Sequence, residues 1–274
     1  MKSWCWGHKR FLVLTGAFGL LLLTPFLNYY FNFNFIQGWY QSIGIGDFWI
    51  VSPLEGLESL LVTRQAFGPL ITALLLPTAL AMIMGRVFCS WICPITFLTE
   101  LGEKIKSLFS KRTSTPERWR LMRQMLWLTL ALELFVTLVL GAPIFVFLSP
   151  PGLIGRELMT LIFFHSLTLE GVVILIALAL NLTSKRFYCR YLCPLGACLA
   201  LLGRHRRVRL ENVMQDCRGC GTCDQACPMG LKPSIGEGMS PYCWNCGSCI
   251  DHCHFDQLKF RLINTAHRSS NSPT

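Results

Sequence analysis

Apolar residues gather into four blocks along the chain, at residues 11–27, 66–85, about 124–148 and about 168–183. A helix that crosses a bilayer needs about 20 such residues. The first and last blocks are near the short limit, and residues 158–169 either extend the fourth block upstream or lie along the interface. Pro69, Pro77 and Pro143 fall in or near the blocks, which membrane helices tolerate better than soluble ones. The pattern predicts an α-helical membrane protein with four transmembrane helices in two hairpins over residues 1–203. Residues 204–274 follow as a soluble region. Lys9 and Arg10 precede the first block as they would in a signal peptide, but Asn28-Tyr29-Tyr30-Phe31 follows without a small-residue cleavage site. The block is read as a retained first span.

The polar positions set the orientation. Lys and Arg number three before the first block, eight between the second and third, and twelve after the fourth. The two remaining connections, 28–65 and 149–167, hold one each (Arg64 and Arg156). With 23 of 25 basic residues on one side, the positive-inside rule makes that side cytoplasmic and places both termini there. The net charge of +10 then faces anionic lipid headgroups, and nucleic acid is not an expected partner. Residues 28–65 form the larger external loop, rich in Tyr, Trp and Phe. Such residues favour the headgroup zone; the loop either anchors on the membrane or walls a site for a lipid-soluble ligand.

Composition agrees with this class. Hydrophobic residues make up 52% and charged residues 15%, against about 25% charge in ordinary soluble domains. That argues against both a soluble enzyme and a disordered chain.

Fourteen cysteines are present, twelve of them in four regular clusters. The strongest signal is the tail, Cys217-x-x-Cys220-x-x-Cys223-x-x-x-Cys227-Pro228 followed by Cys243-x-x-Cys246-x-x-Cys249-x-x-x-Cys253. This is the run of a two-cluster ferredoxin, in which three cysteines of one run bind a 4Fe–4S cube and the fourth crosses to the other. Cys217, Cys220, Cys223 and Cys253 are expected to hold one cluster, and Cys243, Cys246, Cys249 and Cys227 the second. Zinc prefers cysteine pairs near one ion, which fits three closely spaced cysteines less well. The expected form is a ferredoxin-like α+β module of two hairpin and short-helix units that passes single electrons.

The other two clusters belong to an internal repeat. Arg86-Val87-Phe88-Cys89-Ser90-Trp91-Ile92-Cys93-Pro94 matches Arg186-Phe187-Tyr188-Cys189-Arg190-Tyr191-Leu192-Cys193-Pro194 at an offset of 100. On a continuous helix, Cys89 and Cys93, like Cys189 and Cys193, would share one face. The pairs either supply four thiolates to a third metal centre, flanked by Arg86 and Arg186, or pack as small apolar residues at a helix seam. Cys5 and Cys198 lack partners by spacing and read as structural. Glu133 lies inside the third block, where a carboxylate either accepts a proton from a quinol or pairs with another helix. His165 and Glu170, near the outer end of the fourth block, read as interfacial residues.

The twin C-x-x-x-C-P motifs, four spans and double ferredoxin run together resemble the NapH-type membrane quinol dehydrogenase subunits, with MauN and the membrane portion of NosR. The resemblance covers nearly the whole chain and is strongest in residues 85–94, in Cys193-Pro194-Leu195-Gly196-Ala197 and in the tail. It implies a multi-pass subunit of the bacterial cytoplasmic membrane that takes electrons from the quinone pool. These would pass to a periplasmic reductase system through a NapG-like iron–sulfur protein or a cytochrome. The motifs are also similar to those of CcoG-like proteins, which implies an alternative: electrons from a cytoplasmic donor serve copper reduction or the maturation of a periplasmic enzyme.

Overall fold

The computed structural model describes residues 5–31, 36–39, 42–46, 48–65, 68–109, 122–142, 149–166, 168–212, 217, 219–255 and 257–262. The fold is mostly helical. Helix α1 (Trp6–Phe31) contains the first apolar block and runs through Pro25. Among the described residues one helix, over Trp6–Leu27, is long and apolar enough by itself to cross a membrane. The next three blocks form α3 (Gly68–Met84), α6 (Met125–Leu140) and α8 (Leu169–Thr183), with 17, 16 and 15 residues. At about 1.5 Å per residue these reach roughly 22–26 Å, short of the hydrocarbon thickness of about 30 Å. Each leaves large apolar side chains exposed: Leu75 and Leu80 on α3, Leu128, Leu132 and Phe135 on α6, Leu175 and Ile176 on α8.

The aromatic connection is more than a loop. It carries a three-stranded antiparallel sheet, β1 (Ile36–Trp39), β2 (Ser42–Ile45) and β3 (Phe48–Val51), with Ile36 opposite Ile45 and Ser42 opposite Val51. Helix α2 (Pro53–Thr63) follows, its first turn capped by the Ser52 hydroxyl, which accepts from Glu55 N. Residues 158–169 neither extend the fourth span nor form one element. Helix α7 (Pro150–Met159) runs on as a π turn, Thr160–Phe164, and stops at His165 in the left-handed region before α8 begins.

The C-x-x-x-C-P motifs break the helix instead of riding on one. Cys89 lies in the short helix α4 (Val87–Trp91), while Cys93 precedes α5 (Pro94–Phe109). Cys189 lies in a π turn, Tyr188–Leu192, while Cys193 caps α9 (Pro194–Leu202). Each proline takes the first helical position, where its missing N–H costs nothing and its fixed φ suits a helix start. The one-face expectation is corrected accordingly: the two cysteines of a pair sit on either side of a helix boundary. The junction of α3 with α4 and α5 bends by 87°. Gly85 at the bend has φ +72°, and a Cβ there would meet Arg206 Cδ at 2.7 Å.

The tail has β4 (Val208–Asn212), α10 (Thr222–Ala226), α11 (Ser248–Asp251) and β5 (Leu258–Leu262). Each cysteine run supplies one short helix, as expected. The strands do not form two hairpins: β4, before the first run, pairs antiparallel with β5, after the second, with Val208 opposite Leu262. The two or three residues between ligands are too few for a strand of usual length.

This module is docked, not suspended. Asp251 accepts from the N–H groups of Trp6 and Gly7 at the start of α1 (2.9 and 2.6 Å), which suits a carboxylate at a helix N-terminus. Asn245 donates to Met84 O at the end of α3 (2.8 Å). Near the start of α6, Arg123 pairs with Glu237 (3.1 Å) and Trp127 donates to the Tyr242 hydroxyl (2.6 Å). Lys185, just past α8, donates to Gln225 O. The start of α1, the end of α3, the start of α6 and the end of α8 therefore all face the module.

Candidate iron–sulfur centres

Three small cavities of similar size are each lined by four cysteines. Cys217, Cys220, Cys223 and Cys253 line the outermost, where Cys217 and Cys220 are exposed. Cys227, Cys243, Cys246 and Cys249 line the next, and all four are buried. In both, the fourth cysteine comes from the other run. Cys89, Cys93, Cys189 and Cys193 line the third, at the junction of the two repeats. Among the described residues no three or more His, Cys, Asp or Glu side chains are arranged to hold a single metal ion. The cysteines surround a space instead, as ligands that each take a separate corner of a cube must.

Donors reach three of the four sulfurs of the third set. Gly196 N donates to Cys193 Sγ (3.4 Å), Asn181 Nδ2 to Cys189 Sγ (3.5 Å), and Thr96 N to Cys93. The Arg86 guanidinium faces Cys89. Burial pushes all four thiols up, Cys193 to about 12, and neighbouring thiolates raise it further; the Gly196 N–H and the charge of Arg86 oppose this. A thiol raised as Cys193 is stays protonated at neutral pH unless a cation takes the proton's place. Donors to sulfur with no carboxylate in the cavity lining suit soft, anionic iron–sulfur ligation.

Comparison with known proteins converges on the same segments. The model of a family described as "4Fe-4S binding domain" matches residues 66–116 and again 167–211, so each match holds one C-x-x-x-C-P motif. MauN of Paracoccus denitrificans, a methylamine utilization ferredoxin-type protein, is 30% identical over 86% of this chain and 83% of its own. The chain belongs to the NapH/MauN family of ferredoxin-type proteins. NapH of Escherichia coli is 28% identical over 93% of this chain and 90% of its own. YccM of the same organism is 27% identical over 80% of this chain, which spans only 61% of that relative's length. No solved structure matches. Membership makes this an iron–sulfur electron-transfer protein that works with redox partners.

The second and third cavities are neighbours. Trp244, 1% exposed, lines both the second and the third. Ser90 Oγ donates to its carbonyl (2.9 Å), and Trp91 Nε1 donates to the carbonyl of Asn245 (3.3 Å). The third cavity also shares Phe88 and Leu195 with a larger apolar cavity of about 390 Å³. That cavity is walled by Ile43, Ile50, Leu76, Leu80, Met84 and Leu199, among others.

The remaining candidates fall elsewhere. Glu133 is half-buried on α6, with Oε1 buried and lacking a hydrogen-bond partner. It does not line the apolar cavity; its charge is felt at Tyr188, which lines the third cavity. Glu170 pairs with Arg156 (3.0 Å), and His165 is exposed. Cys198 is buried in the helical core and Cys5 is exposed; neither lines any of the three cavities. Sequence reasoning missed Asn181 and Trp244. Asn181 was signalled by an amide within an apolar run, and Trp244 by a large aromatic residue between two ligand cysteines.

Proposed function

We propose that this chain passes electrons between quinol in the membrane and a redox protein, through three cysteine-held iron–sulfur centres. Cys89, Cys93, Cys189 and Cys193 hold the third centre. Cys243, Cys246, Cys249 and Cys227 hold the middle one, and Cys217, Cys220, Cys223 and Cys253 the outermost. When bound, the clusters carry single electrons. The chain's own residues place them in sequence, exclude water from the inner two and leave the outer one at the surface. The observation that carries the reading is the wall shared by the apolar cavity and the four-cysteine cavity. An apolar space of this kind suits a quinone, and the shared Phe88 and Leu195 set it beside a redox centre.

Residues 1–203 are the membrane domain in this account, with four spans in two hairpins. Exposed apolar rows on α3, α6 and α8 support it, since they would be unfavourable in water. The helix ends that meet the module lie on the basic side, so the module at 204–274 is cytoplasmic. As the resemblance to NapH-type subunits implies, the final acceptor is a periplasmic reductase system, so an iron–sulfur or cytochrome partner has to carry the electrons back across the membrane. The exposure of Cys217 and Cys220 favours a second reading beside it, in which a soluble cytoplasmic donor docks at the outermost centre and electrons run the other way.

Protein reconstituted anaerobically in liposomes should show its clusters reduced by menaquinol or ubiquinol, followed by EPR. If no quinol reduces any centre while dithionite reduces them all, the quinol reading is wrong. Reduction by a ferredoxin in its place would establish the second reading.

A further inference from the structure

Arg86 and Arg186 occupy equivalent positions in the repeat, yet the structure treats them differently. The charge of Arg186 reaches Cys189, but carboxylates offset it: its Nη2 lies 3.1 Å from Glu103 and 3.5 Å from Glu100, and its Nη1 donates to Thr96 O. Glu100 also pairs with Arg10 (2.5 Å). Arg86 is 1% exposed, and among the described residues no carboxylate lies within ion-pair distance of it. Nη2 donates to Cys189 O (3.2 Å), while Nε and Nη1 are buried without a hydrogen-bond partner. A buried guanidinium without a counter-charge is strongly unfavourable unless an anion meets it.

The surroundings show where that anion belongs. Arg86 lines the third cavity with all four cysteines. Its guanidinium carbon stands 5.9 Å from the centre of the Trp244 ring, the wall shared with the middle cavity. Gly196 makes room for it, since a Cβ there would collide with Nη2. We infer that Arg86 is the potential-setting charge between the third and middle centres. Its Nε and Nη1 donate to sulfur of the third centre, and Arg186 has no such part. The inference rests on the three-centre reading above. A positive charge beside a centre favours the added electron, so Arg86 holds both centres at a higher potential than they would otherwise have. The effect is larger at the third, which its donors touch.

EPR-monitored redox titration of the intact protein tests this. In Arg86→Gln the reduced-to-oxidised ratio of the third centre at fixed potential should fall at least tenfold, about 59 mV for a one-electron couple. The middle centre should shift less in the same direction. Arg86→Lys, which keeps the charge, should recover most of the loss, and Arg186→Gln, which removes a charge already met by two carboxylates, should shift the third centre by clearly less than Arg86→Gln and the middle centre not appreciably. Protein carrying 15N-labelled arginine gives a readout that needs no substitution at position 86. Its reduced third centre should show 15N coupling by pulsed EPR, and Arg186→Gln should retain it. No coupling in labelled protein, or equal shifts from Arg86→Gln and Arg186→Gln, overturns the role of Arg86 while leaving three centres in place. About eight iron atoms per chain, with signals from two clusters only, overturns the three-centre reading itself and this inference with it.

Discussion

Replacing Cys93 and Cys193 together with serine is expected to stop quinol from reducing the two tail clusters while leaving both reducible by dithionite. The two residues stand at the same position of the repeat, each just before a helix-starting proline. They line the cavity that lies between the apolar pocket and Trp244. Without their thiolates, the third centre loses two of four ligands, and the gap between quinol and the middle centre opens. Iron should fall by about two to four atoms per chain, the content of one centre, with the tail's eight retained. Serine is close to cysteine in size, so α5 and α9 should keep their starts; circular dichroism should match the parent. Unchanged iron with unchanged quinol reduction would show that the pairs only pack a helix seam.

The second large effect is expected from Cys227→Ser. Cys227 belongs to the first run but stands with Cys243, Cys246 and Cys249, so it ties the runs together. It is buried, and burial pushes its thiol up to about 12, so only bound metal holds it as a thiolate at neutral pH. Its loss should remove the middle cluster, about four iron atoms. It should also loosen the loop around Trp244 and Asn245, which docks on Ser90, Trp91 and Met84. Hydrogen exchange should therefore rise across both the module and the junction of α3 with α4. Cys198→Ser, in a cysteine that lines none of the three cavities, should leave iron unchanged. Equal iron loss from both variants would contradict the ligand grouping.

Much of this was legible because cysteine spacing is a local property. The C-x-x-C-x-x-C runs forecast both the grouping of the tail cysteines and the crossing of Cys227 and Cys253. Apolar blocks marked helices α1, α3, α6 and α8, and the offset of 100 exposed the repeat. The break at Pro94 and Pro194 was half visible: proline is unsuited to a helix interior, but its fitness for the first helical position decided the geometry. The sheet over 36–51 was hidden because aromatic residues and glycines there gave no clear alternation. The difference between Arg86 and Arg186 was beyond reach. It depends on Glu100 and Glu103, carried by α5 of the first repeat and used by the arginine of the second. Docking of the tail was equally hidden, since the bonds that hold it join residues as far apart as Trp6 and Asp251. Trp244 was readable only as a residue between ligands, not as the wall between two centres.

The central claim is that three cysteine-held centres lie in a row between an apolar cavity and the exposed end of the module. Iron and acid-labile sulfide per chain, measured on the intact anaerobic protein together with EPR of its fully reduced state, test it most directly. The account predicts about ten to twelve iron atoms per chain and three paramagnetic centres, one of them lost in the Cys93 and Cys193 double variant. About eight iron atoms and two centres, the same in the parent and in that variant, would contradict it.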